Sequence, residues 1–342
     1  MASGNGSTSA VWAWDEALCG VVPPLISPLN AMGGLDTDAV AALVDHVLDA
    51  GCTGLFVLGG CGEGAWLTPS QRGAVVRDVV RATAGRVPVL AGVMLPATGP
   101  AVEAARQAAD LGADAVVVGS PYYFGVDGLA QRRHIEVVLA AVTVPALLYN
   151  IPQCTHATLS HATVDALATN PRVLGIKDSA GDFEAFQRFL SIKRRRPDFR
   201  VLQGNEALLA ASLLQGGDGL VPGLGNVVPA LMVSLCAAAG RGAGAECARI
   251  QDEVAELYEL YAEAHWLPCL KAACASLGIG NGQPAPPLVA LGDEGRARVA
   301  AIVRRHVAAQ ENPPPYVDGL IRLTYEAVIC HLGVSRKERS IT

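Results

Sequence analysis

The chain has 342 residues, 51% of them apolar and only 17% charged, and its net charge is −6. So apolar a chain can bury a substantial core, which excludes a disordered protein, and the negative balance gives no sign of a nucleic-acid partner. The longest uncharged stretch, 219–240, has the length of a membrane span, but Pro222, Gly223, Gly225, Asn226 and Pro229 interrupt it, so it reads as strand, loop and helix in series rather than a membrane segment.

The first ten residues are rich in Gly, Ser and Thr, with no basic n-region and no apolar h-region, so residues 1–17 are read as a flexible start and not as a leader. Nine cysteines without C-x-x-C spacing sit mostly in apolar segments, which points to buried free thiols in a reducing cytoplasm and away from disulfides or zinc. Gly20–Ser27 reads as a first strand, and Asp36 caps a helix from Thr37 to Ala50 that stops at Gly51. A strand from Thr53 to Leu58 runs into the turn Gly59-Gly60-Cys61-Gly62-Glu63-Gly64, and Thr68-Pro69 opens the next helix as N-cap and first-turn proline. The unit then repeats: strands at 87–93, 114–119, 144–149, 173–177, 200–204 and 218–222, each followed by a helical stretch, the last running from Val227 to Gly240. Three further helices are expected at 243–264, 267–277 and 295–309, and Lys193-Arg194-Arg195-Arg196 reads as a solvated helix end. Residues 311–342 begin with a proline break and carry no assignable role.

Near-continuous apolar strands alternating with amphipathic helices call for a parallel sheet, and eight such units call for an α/β fold closed as a (β/α)8 TIM barrel over 18–240, with a C-terminal helical subdomain over 241–310. An open doubly wound sheet would want G-x-G-x-x-G after its first strand and an acid after its second, and neither is present.

Barrel chemistry sits at the C-terminal mouth of the strands. The strand Val173-Leu174-Gly175-Ile176-Lys177 delivers an amine there, in a chain with only four lysines (Lys177, Lys193, Lys271, Lys337). A buried lysine is paired or loses its proton, and an unprotonated lysine is a nucleophile toward carbonyls. The turn at Gly59–Glu63 offers successive backbone N–H groups to a carboxylate or phosphate, or is simply a tight turn. Tyr122 and Tyr123 lie in a loop, as packing, interface or catalytic residues. Tyr149 closes an apolar strand, where a phenol either passes a proton or plugs the mouth. Gly204 and Val221, at the ends of the next two strands after Lys177, complete the expected substrate-binding set.

Taken in order, Gly59-Gly60-Cys61-Gly62-Glu63, Ser120-Pro121-Tyr122-Tyr123, Tyr149-Asn150-Ile151-Pro152 and Gly175-Ile176-Lys177-Asp178-Ser179 resemble the dihydrodipicolinate synthase/N-acetylneuraminate lyase family of class I aldolases, from about residue 20 to 309. The resemblance implies an imine between Lys177 and pyruvate or another 2-oxo acid, proton transfer by Tyr149, and the substrate carboxylate on the amides of Gly60 and Cys61. It further implies Tyr123 crossing a dimer interface into a neighbouring site, and a homotetramer built as a dimer of dimers. Two departures stand out. Gly60 and Cys61 replace the family's usual pair of hydroxyl residues, and Cys154 stands where true synthases carry an arginine for the second substrate's carboxylate. A thiol is a weak donor and no substitute for a bidentate cation, so lysine-pathway synthase activity is not expected. His156 is either an acid/base or substrate contact of this branch or a loop histidine.

The expectation is therefore a class I aldolase-type lyase with no cofactor and no metal, using a 2-oxo acid and an aldehyde co-substrate or product. The alternatives are a sugar-acid dehydratase or imine deaminase working through the same Schiff base, and a non-catalytic barrel that binds a 2-oxo acid or acts as a scaffold.

Overall fold

The computed structural model describes residues 12–311. Seven short parallel strands lie in sequential order: β1 (Leu55–Val57), β2 (Val89–Gly92), β3 (Ala115–Gly119), β4 (Ala146–Asn150), β5 (Val173–Asp178), β6 (Arg200–Gln203) and β7 (Gly219–Leu220). The expected first strand at 20–27 is not a regular strand. Pro23 and Pro24 lack the N–H groups a ladder needs, so the segment makes only isolated parallel bridges, Val21 to Leu220 on one side and Pro24 to Phe56 on the other. Its remaining donors suffice to close the ring: the Val22 N–H donates to the Leu220 carbonyl at 2.8 Å and the Leu25 N–H to that of Phe56 at 2.8 Å. The sheet thus becomes an eight-membered barrel.

The helices between strands are set by local chemistry. Asp36 accepts from the Ala39 N–H, and Thr68 with Gln71 forms a reciprocal capping box at the start of Pro69–Thr83. Two apolar layers result. Phe56, Leu90, Val117, Leu147, Tyr149, Leu202 and Val221 fill the barrel interior, while the other faces of the strands pack against the helices.

Residues 12–17, expected to be flexible, are instead anchored under the barrel. The Trp12 indole N–H donates to Asp114 at 2.6 Å, Trp14–Ala17 forms a helical turn, and Asp15 pairs with Arg200 at 3.0 Å. The indole hydrogen bond to Asp114 and the packing of Trp14 against the barrel interior hold a segment that the Gly/Ser/Thr-rich residues before it suggested was loose. After the barrel come the helices Gly244–Leu257, Trp266–Ser276 and Asp293–Glu311, so the last two begin one or two residues earlier than expected. The tail beyond 311 lies outside the described residues. No helix among the described residues is long and apolar enough to cross a membrane, and 219–240 divides into β7, a 3-10 turn and the helix Pro229–Gly240. The eight described cysteines are all free thiols; Cys330 lies outside.

Candidate active site

Lys177 reaches the barrel interior because of one extra residue. The β4–β5 register runs Ala146 to Val173 and then Leu147 to Gly175, a bulge that sets Leu174 and Gly175 opposite a single partner. Side chains alternate across a strand, so without that shift Lys177 would face the helices. With it, Lys177 pairs with Tyr149 in the ladder and both point inward. The bulge needs a glycine: a Cβ on residue 175 would lie 2.0 Å from the Arg200 carbonyl oxygen.

The Lys177 amine is 3% exposed and stands 4.2 Å from the Tyr149 ring centre and 4.9 Å from that of Phe56. It makes no salt bridge among the described residues, and burial lowers its pKa from 10.5 to about 8, against weaker opposing influences from Cys61, Glu206 and Cys154. The aromatic faces favour the protonated form, yet desolvation wins. At pH 7 roughly a tenth of the amine is then unprotonated, against well under a thousandth for an ordinary lysine, and able to attack a carbonyl.

The Tyr149 phenol is held above its usual range by burial, partly offset by a hydrogen bond with Ser179. It stays protonated at neutral pH. Gly204 lies directly beside the lysine: a Cβ there would be 2.6 Å from Lys177 Cε and 2.3 Å from Ser179 Oγ. Val221 is buried in the same interior layer as Tyr149.

The glycine-rich turn is folded back on β1, with Leu58 and Glu63 both in the left-handed region at φ 61° and 55°. A Cβ at Gly64 would lie 2.1 Å from the Leu58 carbonyl oxygen, so that residue is required by the close approach. Gly60 is different, for it is exposed and a Cβ there would meet only Trp266, at 3.9 Å. Among the described residues the Gly60 and Cys61 amides donate to no backbone carbonyl. Cys61 is buried, and desolvation pushes its thiol up to about 12, so it remains neutral even near the lysine.

Cys154 and His156 lie on the helical turn that follows β4. Cys154 is exposed yet close enough to interact with Lys177, and His156 is exposed in the left-handed region at φ 53°. Tyr123 is not brought to Lys177 within the chain. It is 81% exposed, at φ 80°, with its ring edge-on to Phe124 at 4.9 Å.

Four participants escaped sequence reasoning. Asp178 accepts from the Asn150 amide at 2.7 Å and is pushed by burial up to about 6. Glu206 is buried beside the mouth, accepts from the Leu224 N–H at 2.6 Å and is pushed up to about 7 by desolvation. Glu63 and Lys271 form a fully buried ion pair beneath the glycine-rich turn. Glu206 follows the N-cap Asn205, whose side chain accepts from the Ala207 N–H, and only the closed barrel brings it to the side of the mouth.

A closed parallel barrel with a desolvated, unpaired lysine at its C-terminal mouth defines a class of carbon–carbon lyases. The chain belongs to the dihydrodipicolinate synthetase family, whose model matches residues 17–306. An uncharacterized DapA-like lyase of Halobacterium salinarum is 38% identical over 284 residues, 83% of this chain and 92% of its own. The 4-hydroxy-tetrahydrodipicolinate synthase of Ectopseudomonas mendocina is 35% identical over 267 residues, 78% of this chain and 90% of its own. Among solved structures, dihydrodipicolinate synthase from Bacteroides thetaiotaomicron matches with a TM-score of 0.81 at 33% identity, over 84% of this chain and 98% of its own. YagE, a prophage protein of the dihydrodipicolinic acid synthase family from E. coli K12 in complex with pyruvate, matches with a TM-score of 0.80 at 31% identity, over 84% and 98%.

Proposed function

We propose that the protein is a class I aldolase-type lyase that binds pyruvate or a related 2-oxo acid as an imine on Lys177. The observation that carries the reading is the unpaired, desolvated amine of Lys177 stacked on Tyr149 inside a barrel of this family. The neutral amine attacks the C2 carbonyl, forming the C–N bond, and loss of water leaves an iminium that withdraws electrons from C3. The amides of Gly60 and Cys61 receive the substrate carboxylate, with Gly204 and Val221 shaping the wall behind it. Tyr149 supplies a proton as a neutral phenol.

With Cys154 and the exposed His156 on the rim, no arginine is offered to a dicarboxylic partner at this position, which favours an aldehyde co-substrate or product lacking that second carboxylate. Tyr123, exposed beside Phe124, supports a dimer in which it reaches the neighbouring site, and a tetramer built from two such dimers. Free thiols throughout the described residues support a cytoplasmic location. The test is incubation with pyruvate and borohydride followed by intact mass and peptide mapping. An adduct on Lys177 is expected, and an unmodified protein at high pyruvate overturns the reading.

A further inference from the structure

The helix Trp266–Ser276 lies along the glycine-rich side of the barrel mouth, and three of its side chains meet that side in turn. Lys271 pairs with Glu63 beneath the turn. Leu270 backs the loop after β7, where a Cβ at Gly223 would lie 3.8 Å from Leu270 Cδ2 and 3.3 Å from Cys61 Sγ. Trp266 stands over Gly60. Its indole occupies the space into which a side chain at residue 60 would grow, for a Cβ there would touch Trp266 Cη2 at 3.9 Å and meet nothing else. The Lys271–Glu63 pair and a hydrogen bond from the Leu267 N–H to His265 Nδ1 at 3.3 Å fix the start of this helix. His265 lies against the indole at 5.5 Å between ring centres, yet Trp266 remains 38% exposed.

We propose that Trp266 is a specificity-determining residue of this enzyme, and that the substrate it selects is a 2-oxo acid carrying a flat apolar group, an aryl ring, beyond C3. The proposal rests on the Schiff-base reading of Lys177, with the substrate carboxylate at the Gly60 and Cys61 amides. A 2-oxo acid so held bridges from the lysine to the turn. Its first three carbons are consecutive, so a group on C3 or C4 starts only two or three bonds from the carboxylate. That group leaves the barrel past the residue that stands over Gly60.

The groups around this path suit an apolar occupant. Phe56 and Tyr149 present their rings 4.9 and 4.2 Å from the Lys177 amine, and Cys61 adds a buried thiol. The charges on this side, Glu63 and Lys271, are satisfied by each other, with at most 1% of either side chain exposed. On the turn after β4 the exposed side chain is Cys154, and the Gln153 amide is committed to the Ser179 carbonyl at 2.9 Å. A polyhydroxylated chain would give up water there for few hydrogen-bond partners. An aryl group stacked on the indole removes apolar surface of both from water.

The test uses borohydride trapping on Lys177, read by intact mass, in wild type, Trp266→Ala and Trp266→Phe. It measures the concentration that half-saturates imine formation for 4-phenyl-2-oxobutanoate, for 4,5-dihydroxy-2-oxopentanoate and for pyruvate. Wild type is expected to take the phenyl acid at a concentration at least about tenfold below that of the dihydroxy acid, the scale of one buried aromatic contact. Trp266→Ala is expected to remove most of that preference and Trp266→Phe to keep most of it. A merely structural role would not produce this split, since a damaged fold weakens trapping of all three acids together. Trp266→Leu serves in place of the alanine variant if that protein does not fold. A wild type without the preference overturns the proposal, as does one that traps pyruvate and neither larger acid, or a ring-less variant that keeps the preference. A wild type on which pyruvate leaves no adduct overturns the Schiff-base reading instead.

Discussion

Lys271 and Glu63, 208 residues apart in the chain, form an ion pair in which neither side chain is more than 1% exposed. Glu63 also accepts from the Ala285 N–H at 2.6 Å, so the helix Trp266–Ser276 and the segment after it hold the left-handed end of the glycine-rich turn. The C-terminal helices thereby support the turn that carries the Gly60 and Cys61 amides. Removing one partner strands a buried charge, so Lys271→Met is expected to cost about 3–5 kcal/mol in urea denaturation. Adding Glu63→Gln, which keeps an acceptor for Ala285 without the charge, is expected to recover much of that. A loss below about 1 kcal/mol in the single variant would place the pair with ordinary surface bridges.

Lys177 trades stability for reactivity. Its folded pKa, about 8, lies below 10.5, so between these values the unfolded chain binds a proton that the folded chain does not. Stability therefore falls as pH drops from 10.5 to about 8 and is flat below. Lys177→Met is expected to be more stable than wild type at pH 7 by up to about 3 kcal/mol, a gain that vanishes above pH 10.5, and to give no borohydride adduct. Thermal unfolding at pH 7 and 10.5 checks this, and a less stable variant at pH 7 contradicts it.

Gly204 leaves no room for a methyl group beside the lysine. Gly204→Ala would press on Lys177 Cε and Ser179 Oγ, both fixed on β5 or just after it. Trapping by pyruvate and borohydride is expected to slow by at least about tenfold, the effect of a small misplacement of the reacting group. An unchanged trapping rate would show that the lysine moves freely.

In the proposed reaction Tyr149 moves a proton to or from the substrate and does not form the imine. Tyr149→Phe is expected to keep the Lys177 adduct, since the ring beneath the amine remains, and to slow turnover by about 10²–10⁴. Loss of the adduct as well would assign the phenol to imine formation. Comparing adduct yield with C3 exchange in the same samples separates the two.

Much of this protein was legible from local patterns. Strand and helix alternation follows from apolar periodicity, Asp36 and Thr68-Pro69 mark helix starts because a side-chain oxygen beside free N–H groups acts within three residues, and the lysine stood out on its strand. The failures have equally physical causes. At 20–27 the apolar run suggested a strand, but two prolines removed the donors and left a bridge-only closure. The Gly/Ser/Thr-rich first ten residues suggested a flexible start as far as 17, but the tryptophans at 12 and 14 found partners at Asp114 and in the core.

The sequence by itself determined the strand–helix order and the parallel barrel, and put Lys177, Tyr149 and the glycine-rich turn at strand ends, because each depends on residues near one another along the chain. Only the tertiary structure decided that the bulge at Leu174 turns Lys177 inward, that Lys271 is held by Glu63, and that Glu206 closes on the same mouth. Those outcomes depend on which strand lies beside which and how much water is excluded between them. Such quantities exist only once the barrel has closed.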